Sequence, residues 1–445
     1  MEFPVTDSMK DSMMELITKV KERFSDNRKL GEMFERCFLN TIQTTVRQLE
    51  DKTVHVITGD IPAMWLRDSA AQVRPYLALA GQDKGFRDMI AALLKRQFTF
   101  ITIDPYANAF NEQADGKCWS HDETEQNDWV WERKYEIDSL CYPIQLAWLL
   151  WKTTGCTAQF EDDFCMAAKK ILEVFRTEQD HEEKSGYRFV RKNTYYTDTL
   201  PRDGKGSLVK GGIGMTWSGF RPSDDTCTYG YLVPSNMFAS VILGYLAEIA
   251  EKILEDGELS RQAAALAHEI REGIENFAIT EKEGYGKVYA YETDGYGMYN
   301  LMDDANVPSL LSMDYIGYCP EDRTVADNTR NMILSEANPY YYSGTEAAGI
   351  GSPHTPPGYI WHIALCVEGL TEKSRERKRE LLELLSRTDD NTQMMHEGFD
   401  KDDPSRYTRE WFSWANAMFC ELVLDYCGLR PGVENQNLST EHGIS

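Results

Sequence analysis

The feature that most limits how this chain can fold is a rhythm. Helix-period segments come in pairs joined by very short turns, and long connections separate the pairs. Apolar spacing predicts helices over roughly 27–49, 65–80, 84–103, 138–154, 158–180, 234–255, 259–277, 323–336, 358–370, 372–388 and 409–427, with a weaker one over 308–316. In PSNMFASVILGYLAEIAEKILE, Met237, Val241, Leu243, Leu246 and Ile249 recur at helical spacing, and Ser235 or Asn236 is placed to cap the start. Convincing strand patterns are few. The joints at 77–86, 151–160, 255–262 and 368–376 are short enough to imply antiparallel helix hairpins.

Between the pairs lie long connections near 104–137, 181–233, 279–307, 337–357 and 389–408, rich in Gly, Tyr, Trp and acidic residues. The first helices after these start near 138, 234, 308, 358 and 409; the one near 65 makes six, each followed by a partner, with 27–49 closing the circle. The expectation is an all-α fold, an (α/α)6 toroid of six inner and six outer helices. It would form a single domain over 1–445 with short tails at about 1–25 and 430–445; an irregular helical domain is the alternative. The toroid would gather the inner-helix N-termini and the long aromatic loops at one end, where a cleft would form.

Composition narrows the classes of partner. Against 47 Lys and Arg stand 72 Asp and Glu, a formal charge of −25 that disfavours nucleic acid and anionic membranes and is compatible with a neutral ligand. None of the ten cysteines forms a CxxC pair, and several fall in apolar helical runs, as expected of free thiols in a reducing compartment. The N-terminal stretch does not read as a signal peptide, and no run approaches the ~18 apolar residues of a membrane span. A cytoplasmic protein is therefore expected. There is no zinc-ligand spacing, EF-hand, P-loop or dinucleotide fingerprint, so neither metal nor cofactor is expected, nor an obligate protein partner.

Acidic and aromatic residues remain as the carriers of chemistry. In TWSGFRPSDDTCTYGYLVPSN, Trp217, Arg221, Asp224, Asp225 and Tyr229 precede a strong helix. Ser223 or Asp224 could simply form a turn after Pro222, but adjacent carboxylates in a partly dry site also raise one pKa, as a general acid requires. In NTQMMHEGFDKDDPSR, His396 and Glu397 sit among Met394, Met395 and Phe399, whereas the DKDD run that follows reads as solvated or capping. GDIPAMWLRDS places Arg67 and Asp68 side by side at a helix start, where Asp68 could cap and Arg67 could pair with an acid. Asp138 in YEIDSLCYP and His354 in HTPPGYIWH stand at two further helix starts. Two carboxylates from distant loops, with aromatic faces around them, are the parts of a glycosidase: one acid protonates the leaving oxygen and a second acts across the ring.

The segments GDIPAMWLRDSAAQVRPYL, YEIDSLCYPIQLAWLLW, TWSGFRPSDD…YGYLVPSNMFA and HEGFD…REWFSWANAMF together resemble glycoside hydrolase family 125, over about 30–430. The family comprises bacterial and fungal exo-α-1,6-mannosidases with an (α/α)6 toroid. The resemblance implies metal-independent, inverting release of mannose from the non-reducing ends of α-1,6-linked mannosides, such as α-mannans or N-glycan fragments. It places the acid on Asp224 rather than Asp225, a choice that spacing alone leaves open, and the base on Glu397. It further implies Arg67 and Asp68 as walls of the terminal-mannose subsite, with Asp138, Trp217, Arg221 and His354 as further substrate contacts. Changing Arg67 or Asp68 would then weaken mannose binding far more than the fold. An inverting pair should stand roughly 6.5–9.5 Å apart. The alternatives are another inverting (α/α)6 glycosidase, a phosphorylase, or a non-catalytic glycan-binding protein.

Overall fold

A computed structural model describes residues 2–431. Five helices are buried on nearly every side: Leu66–Val73, Ile137–Thr154, Val233–Lys252, His362–Thr371 and Ser413–Cys427. With the short helix Met313–Ile316 they touch one another in chain order, and Ser413–Cys427 returns to pack on Leu66–Val73. Outside them lie amphipathic helices with one polar face, among them Lys84–Ile103, Asp162–Glu178, Gly257–Phe277 and Arg375–Arg387. Arg28–Asn40 packs on Ser413–Cys427, so the first part of the chain meets the last.

This arrangement explains the apolar character of Val233–Lys252, which by length and composition alone could cross a bilayer. It is surrounded by other helices and buries Met237, Phe238, Ile242, Leu243, Leu246 and Ile249.

The two sets of helices start differently. Four outer helices have side-chain caps: Asp83, Asp256, Asp322 and Ser374 each accept from a backbone N–H of the first turn, whereas Arg28–Asn40 and Asp162–Glu178 have none. The six inner helices have no side-chain cap. Three of them instead emerge directly from a short strand held in a three-stranded antiparallel sheet. Met64–Trp65 pairs with Ala109–Phe110, which pairs with Val130–Glu132. Tyr231–Leu232 pairs with Glu292–Thr293, which pairs with Tyr299–Asn300. Tyr359–Trp361 pairs with Gly398–Asp400, which pairs with Tyr407–Thr408. Backbone ladders fix these entry points and leave the side chains there free for other work.

Several expectations change accordingly. Among the described residues there are fifteen short strands, eleven of them in the long connections, most of two or three residues and too brief to show alternation in sequence. The helix expected over 27–49 stops at Asn40 and continues as a π-turn and the strand Val46–Gln48. Pro75 interrupts the one expected over 65–80 with a 3-10 turn at Arg74–Tyr76. The helix expected over 308–316 shrinks to Met313–Ile316. Neither Ser235 nor Asn236 caps Val233–Lys252; Asn236 lies inside it, accepting from the Thr216 N–H at 2.8 Å and donating to the Thr216 carbonyl. The expected N-terminal tail includes the helix Asp7–Arg23, which buries Met9, Met13, Leu16, Ile17 and Val20. Of the expected C-terminal tail, 432–445 lie outside the described residues. All ten cysteines are free thiols.

Candidate active site

The starts of the inner helices Leu66–Val73, His362–Thr371 and Ser413–Cys427 converge on one pocket. Arg67, Asp68, Asp224, His354 and Glu397 line it, with Trp65, Trp361, Phe412 and Trp414 supplying apolar faces. Five of the eight residues singled out from the sequence are thus brought together. Trp217, Arg221 and Asp138 are not on this wall. Trp217 is buried against His181, ring centroids 3.7 Å apart, in space that opens only because Gly206 and Gly230 have no Cβ. Arg221 is drawn to Glu292 at 2.7 Å and faces a neighbouring cavity. Asp138 is fully buried and reaches the site only through Arg67.

Arg67 is the hub of the cavity floor. Its Nη1 lies 2.5 Å from Glu136 and 3.1 Å from Asp138, its Nη2 3.2 Å from Asp224, and its Nε 3.4 Å from Asp68. The guanidinium also lies over the Trp414 ring, 5.4 Å from its centre. Burial disfavours a charged Arg67, but Glu136, Asp138, Asp68 and Asp224 hold its pKa well above the ordinary value. Four carboxylates around one cation cannot all stay ionised cheaply in a buried site. Burial pushes Asp68 and Asp138 each up to about 6 despite the opposing charge of Arg67. Burial likewise drives Glu136 well above the usual carboxyl range.

Asp224 goes the other way. Burial raises it, but Arg67, a hydrogen bond with Glu136, Lys134 and His354 together carry its carboxyl below the usual range. Glu136 and Asp224 therefore form a hydrogen-bonded pair that titrates together, with Glu136 driven up and Asp224 down. Asn108 Nδ2 bridges the pair, 3.4 Å from an oxygen of each.

Asp224 is presented on a tight turn. Its N–H donates to the Arg221 carbonyl, the Arg221 N–H to the Asp225 carbonyl, and Phe220 bridges Thr226. Asp224 holds φ at +66°, a left-handed conformation unusual for a residue with a Cβ and frequent at functional sites. Lys134 clamps the turn by donating to the Asp224 carbonyl at 2.7 Å. The turn foreseen for this stretch is present, and it displays the carboxylate.

Glu397 comes from the opposite part of the sequence. It directly precedes the strand Gly398–Asp400, and its N–H donates to Thr408 at 3.2 Å. Arg409 Nη1 stands 3.6 Å from Glu397 Oε1, while Asp60 fixes the same guanidinium through two contacts at 2.5 and 3.1 Å. The neighbouring His396 turns away from the cavity and stacks on Tyr407, and burial lowers its pKa.

Several buried polar atoms around the cavity have no hydrogen-bond partner in the protein: Trp65 Nε1, Trp414 Nε1 and Ser223 Oγ, with Asp68 Oδ2 held only by its ion pair with Arg67. Donors and acceptors are mixed within a few side chains. A ligand bearing many hydroxyls, each both donor and acceptor, can satisfy such a set. Sequence reasoning passed over Glu136, Asn108, Arg409 and Trp414. The acidic residue two places before Asp138 and the REWFSW stretch were visible signals for three of them.

Comparison with known proteins agrees with this geometry. The sequence profile of the family described as metal-independent alpha-mannosidase (GH125) matches residues 27–424. A structure from Streptococcus pneumoniae, described as a non-productive substrate complex with alpha-1,6-mannobiose of a metal-independent alpha mannosidase, is similar with a TM-score of 0.92 and 51% identity. The match covers 94% of this chain and 99% of that one. The meiotically up-regulated gene 157 protein of Schizosaccharomyces pombe is 36% identical, over 96% of this chain and 88% of its own length. A protein described only as a glycosidase shares the fold at a TM-score of 0.54 and 12% identity, over 91% of this chain and 98% of its own.

Proposed function

Because the chain belongs to glycoside hydrolase family 125, the metal-independent α-mannosidases, we propose that it is an inverting exo-α-1,6-mannosidase that releases single mannose units from non-reducing ends. The observation that carries this reading is the meeting of Asp224 and Glu397, from distant loops, on the wall of one aromatic-lined cavity. The similarity to a streptococcal protein seen with α-1,6-mannobiose supports the linkage. The closed order of inner-helix contacts supports an (α/α)6 toroid.

In this reading the terminal mannose stacks on the indole faces while Arg67 and Asp68 take its hydroxyls. Asp224 protonates the glycosidic oxygen, drawing on the proton it shares with Glu136. Glu397 removes a proton from the water that attacks the anomeric carbon, and Arg409 keeps that carboxylate oriented. Substrates would be α-mannans or N-glycan fragments, and the ten free thiols support a cytoplasmic location.

NMR of the first sugar released from α-1,6-mannobiose tests this directly. β-Mannose should appear first, in phosphate-free buffer. α-Mannose first would mean retention, dependence on phosphate would mean a phosphorylase, and no hydrolysis would overturn the reading.

A further inference from the structure

Beside this cavity lies a larger, open one. The two share walls. Pro222, Ser223 and Asp224 line the first, whereas Arg221 and Thr226–Tyr229, from the same turn, line the second. His354 faces the first and its neighbour Pro353 the second. The loop carrying Tyr196 is fastened to that turn: the Thr226 N–H donates to the Thr197 carbonyl at 2.7 Å, and Thr226 Oγ1 to the Thr199 carbonyl at 2.9 Å.

The second cavity has an unusual lining and rim. Tyr196, Tyr229, Tyr299 and Tyr340 line it, with Asn300 and Thr228 among them. The segments that line it also carry side chains that a protein normally hides: Tyr195 is 83% exposed, Tyr196 87%, Leu208 54% and Met298 54%. Leu208 and Met298 directly adjoin the lining residues Ser207 and Tyr299. Exposed apolar side chains from three separate segments, collected around one cavity, mark a recognition surface. Tyrosines offer flat apolar faces with a hydroxyl at the end, the combination suited to a sugar ring's C–H face and its hydroxyls.

The chemistry of the first cavity says which sugars these would be. The acid must face the glycosidic oxygen, so the leaving part of the glycan departs on the side of the Asp224 turn, and that turn is the shared wall. We propose that the second cavity and its tyrosine margin bind the mannosyl units of the leaving chain beyond the one that carries the scissile oxygen. This rests on the assignment of Asp224 as the acid, and it makes oligomannosides rather than the disaccharide the preferred substrate class.

The test compares kcat/KM for α-1,6-linked mannobiose, mannotriose and mannotetraose in the natural protein and in Tyr196→Ala, a change at an exposed position that leaves the core untouched. The natural protein should gain with chain length. Tyr196→Ala should lose about 3- to 10-fold on the tetraose and change little on the biose, with Tyr196→Phe keeping most of the gain. A natural protein indifferent to chain length, or a variant that loses equally on biose and tetraose, would overturn the proposal while leaving the mannosidase reading intact. Failure to cleave any of the three would overturn that reading, and this proposal with it.

Discussion

His354 Nδ1 lies 3.1 Å from Asp225 Oδ1, which ties down the carboxylate next to Asp224 and separates two acids that are indistinguishable in sequence. Asp225 is committed to this pair and does not line the cavity, whereas Asp224 keeps a quarter of its side chain exposed there. Burial works against a charged His354. The hydrogen bond and charge of Asp225, with Glu397 and Asp224, overcome it and lift the pKa to about 9. A histidine pKa raised on folding adds stability in full below about 6.5, and that stability is lost as pH rises through about 9. Thermal unfolding from pH 6 to 10 should therefore show a steeper fall between about pH 6.5 and 9 in the natural protein than in His354→Gln, with the two curves parallel above that. The difference should be small, about 1 kcal/mol or less, because the imidazole is partly exposed. Curves parallel over the whole range would remove the pair as a source of stability.

Replacing Glu397 by Ala should spare the fold. Its backbone is held by the strand ladder, and Arg409 retains Asp60 as a partner, so no buried charge is stranded. Turnover should fall by on the order of 10²–10⁴-fold, with mannose affinity by calorimetry changed only slightly. Lost affinity with preserved turnover of saturating substrate would make Glu397 a substrate contact.

Arg67→Met should damage more than binding. The expectation from sequence, that mannose binding would weaken far more than the fold, does not allow for the four carboxylates gathered around this one buried cation. Removing it strands them and should cost roughly 3–5 kcal/mol at neutral pH in urea unfolding. The deficit should shrink toward pH 5, as carboxyls already raised to about 6 take up protons. A pH-independent deficit would contradict this account.

Glu136→Gln should change the pH dependence of catalysis. Without its partner's proton, Asp224 relies on its own low pKa, so the alkaline fall of kcat/KM for mannobiose should move to lower pH. α-Mannosyl fluoride, whose leaving group needs no proton, should be hydrolysed nearly as well as by the natural protein. An unchanged pH profile would show that Asp224 obtains its proton elsewhere.

Much of this was legible in the sequence. Long helices announce themselves by period, and Lys84–Ile103 matches its expected bounds. The strands escaped notice because two or three residues leave no pattern, and Met313–Ile316 is a single turn in which no period can be established. The cavity residues at helix starts were found because charged groups are conspicuous where a helix buries itself. Trp217 was misplaced because an indole suits a sugar and a core equally well. Only the packing, where a Cβ on Gly230 would lie 2.2 Å from Trp217 Cδ1, tells the two apart. Arg221 and Glu292 stand far apart in the chain, so their pairing had no local signal.

The seam where the chain closes has a consequence for biosynthesis. Gly59 bridges Phe412, the Ser413 N–H donates to Thr58, and Asp60 holds the arginine beside Glu397. As the polypeptide leaves the ribosome, the helix Leu66–Val73 emerges early but must await Ser413–Cys427 to cover its flank. The glutamate assigned as base is translated near the end. A message cut short just before it would lack both that glutamate and the helix Ser413–Cys427, and would leave the apolar flank of Leu66–Val73 uncovered for quality control to recognise.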